Sequence, residues 1–155
     1  MASSPPENID FRCDSMRVLS RPNRTVGRRH VVIRRADLLI CCDQFETTAD
    51  PLWRWQRMVC RNGVRAQRGD EVVWADHAEL ILDRNDLVLT GRPILRRGAT
   101  WLTGSRVTLN LDESQARILR PRGHLPGEEQ AYLSPLVPID LTAPLPATCP
   151  IAPRQ

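Results

Sequence analysis

Three segments of this chain repeat one another, and that self-similarity limits the fold more than any single motif does. Met58 to Trp74 lies over Leu87 to Thr103 at an offset of 29 residues, placing Arg68 and Gly69 on Arg97 and Gly98. The same offset carries Leu80 onto Leu109, Leu82 onto Leu111 and Asp83 onto Asp112. An earlier copy, Val26 to Asp43, falls on Val59 to Asp76 at an offset of 33, with Val31 on Val64 and Asp43 on Asp76. A unit this short cannot bury its apolar face alone and must stack on its neighbours.

The units are built of strands. Between Val31 and Leu119 the apolar residues come in short runs or alternations, punctuated by Asn62-Gly63, Gly69-Asp70, Gly91, Gly98 and Gly104, which is strand-and-turn spacing. Val107, Leu109 and Leu111 alternate with Thr108, Asn110 and Asp112, the pattern of a half-buried antiparallel strand. On the same parity Val72, Trp74, Ala78, Leu80 and Leu82 share one face. Stacked copies of such strands predict an all-β fold, a narrow antiparallel roll or folded-over sheet. Its edges are expected at Ile9 to Leu19 and Gln115 to Leu119.

The chain's 155 residues suit one domain, and 7 of its 13 Pro follow His124. Residues 1–8 are small and polar and are read as disordered, 9–122 as the β domain and 123–155 as a Pro-rich tail. Such a tail lies extended, and Leu133, Leu136, Val137, Ile139 and Leu141 suit it for docking on the roll. The longest apolar run, Leu38 to Cys42, is five residues, too short for a membrane span or the apolar stretch of an export signal. Five cysteines without a C-x-x-C spacing signal neither a zinc site nor a disulfide framework, and are read as plain buried or half-buried thiols.

Leu87-Val-Leu-Thr-Gly-Arg-Pro-Ile-Leu followed by Trp101-Leu-Thr-Gly-Ser-Arg-Val-Thr-Leu-Asn-Leu, after strands ending in Ala75-Asp76, resembles the OstA-like family over about Ile9 to Arg120. That family comprises LptA-type periplasmic lipopolysaccharide-transport proteins and the N-terminal domain of the outer-membrane assembly protein. The resemblance implies a jelly-roll-like, V-shaped sheet whose apolar groove receives acyl chains, with members joined through edge strands. It implies a periplasmic or envelope location, passive transfer near membranes without catalysis, and no cofactor. Lipopolysaccharide or a similar glycolipid would be the ligand, and other β-roll transport proteins or a second copy the partners.

On strand parity the groove would be lined by Ile33, Val64, Ala66, Val72, Trp74, Leu80, Leu82, Leu87, Leu89, Val107, Leu109 and Leu111. If the halves of the sheet touch, these residues are a core; if they splay, they line a groove. The alternative function is a structural module that pairs with proteins through its edges.

Arg12 to Arg35 holds eight Arg against Asp14, a local charge of +7 within an overall +4. Arg24, Arg28, Arg29, Arg34 and Arg35 are candidate contacts for anionic head groups, because guanidinium forks match phosphate. The same residues also serve to blunt an edge. The segment lacks the interleaved aromatics of a nucleic-acid surface. Trp53 and Trp55, alternating on one face, are expected to cap the end of the roll as a lid on the core; the alternative is a place at the groove mouth or against a membrane surface. His77 beside Asp76 and Glu79 reads as a solvated strand face rather than a catalytic cluster.

Overall fold

The structure, a computed structural model, describes residues 8–113, 115–127, 139–140 and 142–154. Its strands are β1 (Ile9–Arg12), β2 (Ser15–Leu19), β3 (Arg24–Arg35), β4 (Leu38–Ala49), β5 (Trp55–Arg68), β6 (Glu71–Ile81), β7 (Asp86–Thr90), β8 (Ile94–Arg97), β9 (Thr100–Thr103), β10 (Arg106–Asn110), β11 (Gln115–Leu119) and β12 (Arg122–His124). All pair antiparallel in one sheet, with a main path β1-β3-β4-β5-β6-β7-β10-β11. The repeats are long hairpins: β3–β4, β5–β6, and a third whose strands are each broken in two, β7 with β8 and β9 with β10.

Each hairpin is bent at equivalent points. In β3, Arg29 and His30 stand against Asp43 alone, and in β5, Asn62 and Gly63 stand against Asp76 alone. All four bulge residues are left-handed, with φ of 66°, 51°, 68° and 63°. Such bulges bend a strand and sharpen its twist. In the third copy Gly91 (φ 75°) and Arg92 (φ 52°) occupy the corresponding place, and Arg120 (φ 52°) follows one repeat later. A side chain at Gly91 would meet Asp76 Cβ at 2.6 Å as well as straining the backbone, so the break between β7 and β8 requires glycine.

The bends fall on one line and divide the sheet into two half-sheets of eight strand segments. The first holds β2, residues 24–28, 44–48, 57–61 and 77–81 of the long strands, then β7, β10 and β11. The second holds β1, residues 31–35, 38–42, 64–68 and 71–75, then β8, β9 and β12. Their inner faces meet in one apolar cluster that includes Ile33, Ile40, Phe45, Leu80, Leu89 and Val107, each no more than 1% exposed. Each such side chain contributes about 1.5–3 kcal/mol on burial.

The inward parity expected for Val72 and Trp74 is overturned. In β4 and β6 the bulge changes which alternate residues face inward: Cys42 gives way to Phe45, and Ala75 to Ala78. Val73 and Ala75 therefore point into the interior, while Val72 and Trp74 lie on the opposite face in a second cluster with Val32, Leu39 and Cys41. This second face also explains Leu38 to Cys42, which is apolar without alternation because it is covered on both sides.

At Gly27 the ring of Phe45 lies on the glycine itself, 2.0 Å from where a Cβ would stand. Gly27→Val is expected to displace Phe45 from the interlayer core and to cost about 1–3 kcal/mol, measured by urea unfolding. An unchanged midpoint would contradict this packing.

Candidate functional site

Opposite the line of bends, the two half-sheets form the lips of a mouth. The inward row at the lip of the second half-sheet runs Arg35, Leu38, Arg68, Glu71, Arg97 and Thr100 along the register. It is charged where the rows beneath it are apolar. Arg97 pairs with Glu71, and Arg68 Nε lies 3.2 Å from Asp37 Oδ2. Arg35 Nη1 donates across the mouth to Asn85 Oδ1 on the β6–β7 turn, and Asn85 Nδ2 donates to Asp112 Oδ1 at 2.7 Å.

Two cavities open at this mouth. The larger, about 1260 Å³, is lined by Phe11, Trp53, Trp55 and Leu82 together with Arg35 and Arg57. The smaller, about 510 Å³, reaches Leu95, Leu102 and Leu109 beneath Arg68 and Arg97. Phe11 and Trp55 stand 5.2 Å apart at the first, and each lies about 6 Å from Phe45. Aromatic side chains present broad apolar walls in these geometries.

Trp53 and Trp55, expected to cap the end of the roll, both line the larger cavity but at different depths. Trp55 opens β5 and packs against the core. Trp53 sits in the preceding turn at φ 62°, 44% exposed. Asp50 holds that turn, accepting from the backbone N–H groups of Leu52 and Arg54 at 2.9 Å each and from Arg54 Nε at 2.8 Å. The Arg54 backbone bond first, and then the Arg54 side chain and the Leu52 N–H, hold the Asp50 carboxyl below the usual carboxylate range.

The other residues singled out by parity divide between depths. Ile33, Val64, Ala66, Leu80, Leu87, Leu89, Val107 and Leu109 lie in the interlayer cluster, and Leu82 and Leu111 pack at its margin. Of these, Leu82 borders the larger cavity and Leu109 the smaller.

The five arginines do not converge. Arg24 faces Glu46 on the outside of the first half-sheet at 3.3 Å, and Arg28 and Arg29 are exposed at the bend. Arg34, on the outside of the second half-sheet, reaches Asp10 and the carbonyl of Ala143. Only Arg35 among them borders a cavity. Strand alternation separates Arg34 from Arg35, and the bulge separates Arg24 and Arg28 from both. The charged lip row was hidden in the sequence because its members are distant in the chain and meet only through the register.

The C-terminal segment forms a third layer. Ile139, Leu145, Cys149 and Ile151 cover Val32, Leu39, Cys41, Val72 and Trp74. Trp74 Nε1 donates to Ala152 O at 2.9 Å. A disulfide joins Cys149 to Cys41 across 108 residues, correcting the expectation of plain thiols for these two. Cys42 and Cys60 are free and buried, and Cys13 is half-buried. The Cys60 thiol is pushed up by its hydrogen bond with Cys42 and by burial. Residues 1–7, read as disordered, and the tail residues Leu133, Leu136, Val137 and Leu141 lie outside the described residues.

The bent, all-antiparallel sheet is an LptA-like, OstA-type fold. The structure is similar to that of LptH from Pseudomonas aeruginosa, the LptA-homologous periplasmic component of the conserved lipopolysaccharide transport device. The TM-score is 0.70 over 78% of this chain and 96% of that one, at 9% identity. No family model matches the chain, and no curated protein matches it by sequence.

Cys149→Ser is expected to lower stability by about 2–4 kcal/mol and to shift Trp74 fluorescence to the red as Ala152 and Ile151 leave it. Cys13→Ser is the matched control and leaves both unchanged. A Cys149→Ser protein that melts like the parent would refute the fastening role.

Proposed function

We propose that this chain binds an amphipathic envelope lipid of the lipopolysaccharide type, shields its acyl chains between the two half-sheets and passes it along by edge-to-edge contact. The observation that carries this reading is the larger cavity, whose aromatic and aliphatic walls continue the interlayer core while Arg35 and Arg57 stand at its rim. An acyl chain gains about 0.8 kcal/mol for each methylene removed from water, and a rim guanidinium suits a phosphate or carboxylate head group. Likeness to LptH supports the same role. The disulfide suits an oxidising compartment such as the periplasm. The role is binding and transfer without catalysis, and direction would come from other machinery.

The filled centre favours a second reading. Phe45, Leu89 and Val107 are fully enclosed, as in a closed-core module that uses only its edges for protein pairing. Under the first reading these residues part when a chain enters.

A fluorescent acyl probe separates the two. Lipid binding predicts saturable binding that Leu82→Arg, at the cavity wall, weakens by about tenfold or more, the cost of a charge in an apolar wall. Leu125→Arg, at an exposed position that lines neither cavity, serves as the control and leaves binding intact. A folded parent protein that takes up no probe and carries no lipid in native mass spectrometry would establish the closed-core reading.

A further inference from the structure

The two ends of the sheet carry the same charge in the same rows. The first three strands and their turns, residues 9–35, hold eight Arg against Asp10 and Asp14, and residues 115–125 hold Arg117, Arg120 and Arg122 with no acid. Residues 36–113 between them sum to −2.

Register makes this specific. In the first half-sheet one outward row runs from Arg17 on β2 through Val26, Glu46, Val59, Glu79, Val88 and Thr108 to Arg117 on β11. In the second, one row runs from Arg12 on β1 through Val32, Cys41, Arg65, Trp74, Ile94 and Thr103 to Arg122 on β12. Continuing the sheet into a second copy head to tail would set Arg117 opposite Arg17 and Arg122 opposite Arg12. Side chains directly opposite stand roughly 5 Å apart, within the ~8 Å screening length of physiological salt. All four are exposed, and none has an ion pair among the described residues.

The inward rows have the opposite character. Met16 and Val18 on β2 are 43% and 58% exposed although their rows continue the core, ending at Ile118 and Ala116 on β11. The inside of each end therefore favours an added strand, and the outside selects which strand.

We propose that the ends of this roll pair with a different β protein, whose edge strands bear Asp or Glu in the outward rows and apolar residues in the inward rows, and that pairing with a second copy is opposed. This inference rests on the edge-pairing part of the function above. Like-charge juxtaposition across an interface costs several kcal/mol, enough to decide between otherwise equivalent strands.

Charge reversal tests it with the intact chain. A variant with Arg12→Glu, Arg17→Glu, Arg117→Glu and Arg122→Glu changes only exposed side chains, and thermal melting confirms its fold. Sedimentation velocity at physiological salt is expected to find the parent monomeric, the variant monomeric, and their mixture assembled, with apparent affinity about 100-fold or more above either alone. Adding 0.5 M NaCl is expected to weaken the mixed assembly. Parent protein that assembles by itself to the same extent would overturn the selection against self while leaving edge pairing in place. A mixture that stays monomeric would overturn edge pairing itself. Acyl-probe binding, read in the same samples, depends on the cavity and so reports separately on the lipid reading.

Discussion

The left-handed bulges that bend the long strands govern everything else in this protein. Without Arg29-His30 and Asn62-Gly63 opposite single aspartates, strands of 11 to 14 residues would make one broad sheet with an unprotected apolar face. With them, each strand folds back on itself and the sheet supplies its own second layer. A left-handed conformation costs about 1–2 kcal/mol for a residue with a Cβ. The interlayer cluster repays it, because every bend brings two strand halves into contact. Asp76 adds a local tie: it binds Arg92 across the break through Nε at 3.2 Å and Nη2 at 3.0 Å. The guanidinium, by hydrogen bond first and charge second, holds the Asp76 carboxyl below its usual range. That tie is present above the ordinary carboxylate pKa and lost as pH falls through the lowered one.

Much of this architecture was written in the repeat. Offsets of 33 and 29 superpose Asn62-Gly63 on the bulge before it and on Gly91-Arg92 after it, and they place the hairpin glycines Gly69 and Gly98 together. The alternation of Val107 and Leu109 was equally plain. Side choice failed where a bulge intervened, since β6 exchanges its inward parity at Asp76 and carries Val72 and Trp74 outward. In β5 two bulge residues take the place of one, which leaves its parity unchanged, and Val64 and Ala66 fall where alternation puts them. Period-two reasoning holds only between irregularities.

The third layer was less legible. A disulfide spanning 108 residues has no local signature, and the apolar outer face it covers is visible only as a run, Leu38 to Cys42, that fits a two-sided strand or a buried helix turn equally well. The arginines mislead for a related reason. Their density in the first quarter of the chain suggests one patch, yet alternation and bending send them to four surfaces: Arg24 to the outside of the first half-sheet, Arg34 to the tail, Arg35 to the mouth, Arg28 and Arg29 to the bend. Composition records how much charge there is, and only the register records what faces what.

The hairpin repeat also makes length an inheritable quantity. Each copy adds two strands to the long axis, about 10 Å at the usual interstrand spacing, and brings its own bend, its own turn and its own share of the interior. Gain or loss of one such unit by gene duplication would alter the reach of the roll while leaving its cross-section unchanged.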